Sequence, residues 1–428
     1  MRIGIGAQLG IVGGPATYAA ELVRALVVLG GHDYVVFTDR PQAFRDTPIE
    51  TVLVPLASTY HQVGWDHLRL PGLLRQRGVV LYHGTKGIRP FRCPVPSVVT
   101  VHDLAVYTHP ETFALPQRWH FRLCVPPSVA RSARVIADSL HARQDLLARF
   151  DLPAERVRVV PLGVAERLRA GPQAGVVEAF RARVGLGNAV VACVGTVQPR
   201  KRVERVIDAF VRANGAARGW QLAIAGRLRP GYLPPWTAAP PAGVRWLGPL
   251  DDESLHALYR TASVVVSASE YEGFGLTICE GMAAGAAVVA VATSSVPEVV
   301  GDAGILVARS DANLLADALG SLFDDPARRA ATEAHLDDGA LADLGGHLVR
   351  EQTCDGAGGD ERVDGREGHP SSVVGTSTAS AAACRLYAPA ATRMKSVAKP
   401  SMRPSVSPQA TTVFWPMLRH TPRSSITT

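Results

Sequence analysis

Apolar residues in this chain recur with two alternating periods. Arg2–Ala7, Tyr34–Phe37, Val79–His83, Ser97–His102 and Val157–Val160 are short runs rich in Val, Ile and aromatic residues, which predicts strands covered on both faces. Between them, Tyr18–Leu29, Asp66–Arg77 and Ala142–Phe150 place apolar residues three and four apart, the spacing of a helix with one buried face. Ser139 stands where an N-cap belongs for the last of these. The pattern loosens over residues 163–187 and then restarts. Ala189–Gly195, Gln221–Ala225, Ala262–Ala268, Ala287–Ala292 and the end of Val299–Val307 read as strands. Val203–Asn214, Ser254–Thr261, Leu276–Ala284 and Asp311–Asp324 read as helices. Alternation of this kind predicts an α/β chain with two doubly wound parallel sheets. The expected domains are 1–165, 166–345 and an irregular segment 346–428, whose Ser, Thr, Pro and Gly bias shows neither period.

Composition adds limits. With 428 residues, 47% hydrophobic and 19% charged, the chain can build two sizeable cores. The net charge of +7 is local. Residues 371–428 hold Arg385, Arg393, Lys395, Lys399, Arg403, Arg419 and Arg423 and no acid, so +7 minus 7 leaves residues 1–370 neutral. A basic nucleic-acid face is therefore not expected on the folded body. Six cysteines are scattered without a paired C-x-x-C spacing, so buried free thiols are expected rather than a zinc or disulfide framework. The opening Met1-Arg-Ile-Gly-Ile-Gly reads as a strand rather than a secretory leader. A cytoplasmic protein is expected, with a peripheral place at the inner membrane face as the alternative.

The densest chemistry lies in Ser269-Glu-Tyr-Glu-Gly-Phe-Gly-Leu-Thr-Ile-Cys-Glu-Gly-Met282. Glu272 and Glu280 are eight residues apart around Gly273-Phe274-Gly275, between a buried strand and a helix beginning at Leu276. Two acids at that spacing on a helix alone would be solvated surface. Here they bracket a bend at the carboxyl end of a strand, where open α/β sheets bind ligands. The glycines allow backbone N–H groups to approach an anion at the helix start, and Glu280 lies roughly 6 Å further along the axis. This pattern, with Ala283-Ala-Gly285, Ala287-Val-Val289 and Ser295-Val-Pro-Glu-Val-Val300, resembles the paired-glutamate motif of retaining GT-B glycosyltransferases of the family 4 type. The resemblance spans residues 1 to about 330 and implies two Rossmann-like domains facing a cleft.

It also implies roles. Glu272 would hold the donor sugar and Glu280 the ribose, with Gly273, Phe274, Gly275 and Leu276 lining the donor site. The Gly10–Tyr18 turn lacks the register of a dinucleotide fingerprint, because position 9 is Leu9. Its Gly13 and Gly14 would instead approach the donor diphosphate. His102 in Thr100-Val-His102-Asp103 would contact the sugar near the reacting carbon. Arg200 and Lys201, in a basic turn after a strand, would neutralise the leaving diphosphate. Arg227 is a candidate for the base, and His83, Thr85 and Lys86, with the 58–61 loop, for the acceptor. No Asp-x-Asp metal motif occurs, so neither metal nor cofactor is expected. The implied reaction moves a hexose from a nucleotide diphosphate sugar, GDP-mannose or a UDP-sugar, to a saccharide or lipid-linked hydroxyl during cell-surface polysaccharide or glycolipid assembly. The alternatives are an epimerase, which needs no acceptor, and a non-catalytic nucleotide-sugar-binding relic. Relatives of this type close with a long helix that is not legible here. The reading of the end is therefore a frame change near residues 330–345, against a native tail that docks on acidic lipid or a partner.

Overall fold

The computed structural model describes residues 1–334 apart from 11, 12, 56–58 and 174. The segment after residue 334, with its proposed frame change and basic tail, lies outside the described residues. Thirteen strands form two all-parallel sheets. The first contains β1 (Arg2–Gly6), β2 (Asp33–Thr38), β3 (Glu50–Leu53), β4 (Leu81–Gly84), β5 (Ser97–Val101), β6 (Arg134–Ala137) and β7 (Val157–Val159), in the order β3-β2-β1-β4-β5-β6-β7. The second contains β8 (Val190–Val194), β9 (Gln221–Ala225), β10 (Val244–Gly248), β11 (Val264–Ser267), β12 (Ala287–Val291) and β13 (Ile305–Val307), in the order β10-β9-β8-β11-β12-β13.

Strand burial explains the near-continuous apolar runs. Ile3, Ile5, Val98, Val99, Val191, Val264 and Val289 are all fully inaccessible, because helices cover both faces of each sheet. Each sheet reverses its winding once, between β1 and β4 in the first and between β8 and β11 in the second. Those two points open crevices at the strands' carboxyl ends.

Differences from the sequence reading have local causes. The helix expected from Asp66 begins at Thr59, passes through a π-helical turn at Trp65–Arg69 and continues over Leu70–Gln76. A helix at Leu115–Arg131 went unread because Pro126 and Pro127 lie inside it. Neither proline can donate to a carbonyl four residues back, yet Ser128 Oγ donates to the Cys124 carbonyl at 2.6 Å and accepts from Arg89 N–H at 3.0 Å. The loosened stretch 163–187 holds two short helices, Glu166–Ala170 and Val176–Val184. Cys93, Cys124, Cys193 and Cys279 are free thiols. Among the described residues no helix is long and apolar enough to cross a membrane.

Candidate active site

In the second lobe, the charged groups collect at the β8/β11 crossover. The turn after β8 carries Arg200 and Lys201, and the bend after β11 carries Glu272. Lys201 Nζ is bonded to Glu272 Oε1, and Arg200 Nη1 lies 3.7 Å from Oε2 while donating to the Tyr271 carbonyl. Burial alone would raise the Glu272 pKa, but Lys201 and Arg200 outweigh it and hold the carboxyl below its ordinary value. The main chain is fixed as firmly. Glu272 N–H donates to Ser294 Oγ at 2.7 Å, Ser295 Oγ donates to the Glu272 carbonyl at 3.0 Å, and Thr293 Oγ1 donates to the Glu270 carbonyl at 2.8 Å. The turn after β12 thus clamps the bend, a role that the sequence reading missed in Thr293, Ser294 and Ser295.

Gly275 caps the helix Leu276–Ala283 with φ of 99°, a left-handed conformation that favours glycine. The helix begins four residues after Glu272. Leu276 is partly buried, and Phe274 packs inward against Cys279 and Val299. Glu280 accepts from Tyr259 OH at 2.7 Å, and burial pushes its pKa up to about 7 against the opposing pull of Tyr259 and Arg167. At the end of β9, Gly226 abuts the Gly195 carbonyl so closely that a Cβ would lie 1.9 Å from its oxygen. The neighbouring Arg227 is exposed.

The first lobe meets this bend directly. A Cβ on Gly273 would lie 2.1 Å from the His102 carbonyl oxygen. Ser139 Oγ donates to the Gly273 carbonyl at 2.7 Å while accepting from Ala142 N–H at 3.0 Å, so the cap read from sequence also grips the opposite lobe. Tyr271 OH donates to Asp145 at 2.6 Å. Glu298 accepts from the Leu140 and His141 amides at 2.8 and 3.1 Å. Tyr271 and Glu298 had no assigned role in the sequence reading, since a contact between lobes leaves no local pattern.

His102 lies at the end of β5, with Nδ1 2.6 Å from Asp138 and Nε2 2.8 Å from the Thr85 carbonyl. Burial would lower its pKa, but Asp138 and the Thr85 carbonyl raise it above the ordinary value. Both ring nitrogens are therefore taken by the first lobe, which leaves the main-chain carbonyl as the part of His102 that faces the bend. The pair with Asp138 fixes the ring behind the bend. The proposed acceptor contacts are likewise engaged within the first lobe. His83 is completely buried, lies 2.8 Å from Thr100 Oγ1, and has its pKa pushed down to about 3 by burial and the charge of His102. Thr85 is buried and donates to the Gly6 carbonyl. Lys86 is partly buried near Asp39 and Asp66, with its pKa lowered mainly by burial. Asp66 accepts from Gln8 at 2.8 Å, and burial raises its pKa to about 6. Gly13 and Gly14, at the start of the helix Gly14–Leu29, have open space where a side chain would stand.

The model of the family described as Glycosyltransferase Family 4 matches residues 12–167, and that described as Glycosyl transferases group 1 matches residues 188–325. Both models describe glycosyltransferases, one over each lobe. Among curated relatives, the O-antigen chain mannosyltransferase B of Escherichia coli is 29% identical over 61% of the chain and 70% of its own length. The D-inositol 3-phosphate glycosyltransferase of Salinispora arenicola is 33% identical over 56% of the chain. The chain spans only 58% of that relative's length. A structure of Anabaena HepE in complex with UDP and glucose superposes with a TM-score of 0.65 at 18% identity. That superposition covers 83% of this chain and all of HepE, which establishes a shared GT-B fold.

Proposed function

We propose that this protein is a glycosyltransferase of the family 4 type that transfers a hexose from a nucleoside diphosphate sugar to an acceptor hydroxyl with retention and without a catalytic metal. The observation that carries the reading is the Arg200–Lys201–Glu272 group at the β8/β11 crossover, beside the glycine-capped helix start. The donor diphosphate would compete with Glu272 for the two cations, freeing that carboxylate for the sugar hydroxyls. As the anomeric C–O bond breaks, the bonding pair leaves with the β-phosphate oxygen, where Arg200, Lys201 and the Gly275–Leu276 amides offset the growing charge. The acceptor oxygen bonds to the same face of the anomeric carbon, and its proton passes to the departing phosphate oxygen. Glu280 would hold the ribose.

A mannose donor is supported by the relationship to the Escherichia coli mannosyltransferase, and UDP remains the other nucleotide to test because HepE holds it. A lipid-linked acceptor and peripheral membrane contact are supported by the helix Leu115–Arg131. Its outer face exposes Leu115, Trp119 and Leu123 at 64, 63 and 62%, beside the exposed Arg122, the arrangement of an interfacial helix.

The experiment is turnover with GDP-mannose, UDP-glucose and other sugar nucleotides, chosen after a thermal-shift screen of the nucleoside diphosphates. Lys201→Ala and Glu272→Ala should each lower kcat roughly 10²- to 10³-fold. Near-normal rates in both would overturn the assignment. Reactions without added Mg²⁺ or Mn²⁺ should proceed within about twofold of supplemented ones, since cations of the chain occupy the phosphate side.

A further inference from the structure

The first lobe contains a second polar centre beneath the helix Leu115–Arg131. His120 and Cys124 lie one turn apart on its inner face, a separation of about 6 Å along the axis. His67 reaches them from the π-helical turn Trp65–Arg69. One ligand atom from each residue lies within 4.8 Å of the other two, the one such group of three or more among the described residues. His67 Nε2 is 3.4 Å from Cys124 Sγ. That matches the edge of a tetrahedron around zinc, roughly 3.5 Å for bonds of about 2.0 Å to nitrogen and 2.3 Å to sulfur.

An independent observation points to a missing partner. His120 is 7% exposed, and its buried Nε2 has no hydrogen-bond partner. Buried polar atoms are rarely left so. An N–H to sulfur contact satisfies His67 and Cys124 but leaves that nitrogen unsatisfied.

We propose that His67, His120 and Cys124 form a binding site for a zinc-class divalent cation, outside the transfer site. Two imidazoles and a thiolate favour zinc over magnesium or calcium, which prefer oxygen. A water molecule would complete the shell. On binding, the Cys124 S–H bond breaks, sulfur bonds to the metal and one proton leaves to solvent. His67 must also change tautomer. Its Nδ1 now accepts from Phe91 N–H at 3.2 Å, which places its proton on Nε2. Ligation through Nε2 moves that proton to Nδ1 and releases the Phe91 amide, whose residue is exposed and stacked on the His67 ring. The metal would fasten the turn that carries Asp66 to the helix whose opposite face is apolar and exposed.

The test uses the full chain, stripped with a chelator and dialysed. Zn²⁺ titration by calorimetry should show one tight equivalent with about one proton released. Co²⁺ should give four-coordinate visible bands and a thiolate-to-cobalt band in the near ultraviolet. Cys124→Ser should remove the charge-transfer band. His67→Ala, at a partly exposed position, should weaken Zn²⁺ binding at least about 100-fold, beyond the usual effect of losing an outer-shell partner, and abolish the zinc-dependent rise in Tm. Absence of stoichiometric binding would overturn the proposal. So would a charge-transfer band that survives Cys124→Ser, or unchanged zinc affinity in His67→Ala. His67→Ala decides the matter even if Cys124→Ser does not fold.

Discussion

The two crossover points carry opposite kinds of chemistry. At β8/β11, Arg200, Lys201 and Glu272 form a charged group, with the acid kept ionised by its neighbours. At β1/β4, Gln8, Asp66 and Lys86 form a group in which burial dominates, raising the acid and lowering the amine. The same sheet geometry thus holds a paired acid and cations on one side and, on the other, an acid and an amine that burial biases toward their neutral forms. Positioning is shared, because the second lobe's bend is closed by Ser139, Asp145 and the His102 carbonyl of the first.

The largest break in this arrangement should come from Gly273→Ala. The added methyl would collide with backbone, the His102 carbonyl, so the lobes must separate. Overpacking of this kind costs about 1–3 kcal/mol. If the closed arrangement is the reactive one, kcat/KM should fall by about 5- to 150-fold while nucleoside diphosphate binding to the second lobe persists. Unchanged kcat/KM would show that the contact is dispensable.

A smaller effect should follow from Ser139→Ala, which removes both a helix cap and the bond to Gly273. A cap is worth about 0.5–2 kcal/mol, to be read from urea unfolding. A loss of stability without any loss of turnover would confine Ser139 to the first lobe.

The subtlest test uses pH. His102 has a folded pKa above the unfolded value of about 6.5. Its contribution to stability is therefore complete below that value and is lost as pH rises through the folded pKa. Replacing Asp138 with Asn lets burial prevail and lowers the histidine. The Tm gap between wild type and Asp138→Asn should be widest below about pH 6.5 and narrow as pH rises through the folded pKa of His102. A constant gap would assign Asp138 a role other than holding the imidazolium.

The second lobe was the more legible in sequence because its chemistry is contiguous. Glu272, Gly273, Gly275 and Glu280 lie on one strand–bend–helix unit, and Arg200 and Lys201 in the single turn that follows β8. The first lobe assembles its groups from distant segments. His67 is 53 residues before His120, so neither period nor spacing could place them together. The helix that carries His120 was hidden by Pro126 and Pro127, and β6, which delivers Asp138, is only four residues long. His83 and Thr85 were read as acceptor contacts from their place at a strand end. Strand position gives the end of the sheet but not the side-chain direction, and both turn inward.

The paired carbonyl and carboxylate links at the start of the helix Leu140–Arg149 have a mechanical consequence. When the lobes part, Ser139 keeps the Ala142 amide, so that first turn does not unravel. The Leu140 and His141 amides lose Glu298 and are rehydrated instead. A parting of the lobes would thus undo the link without unwinding the helix that carries it.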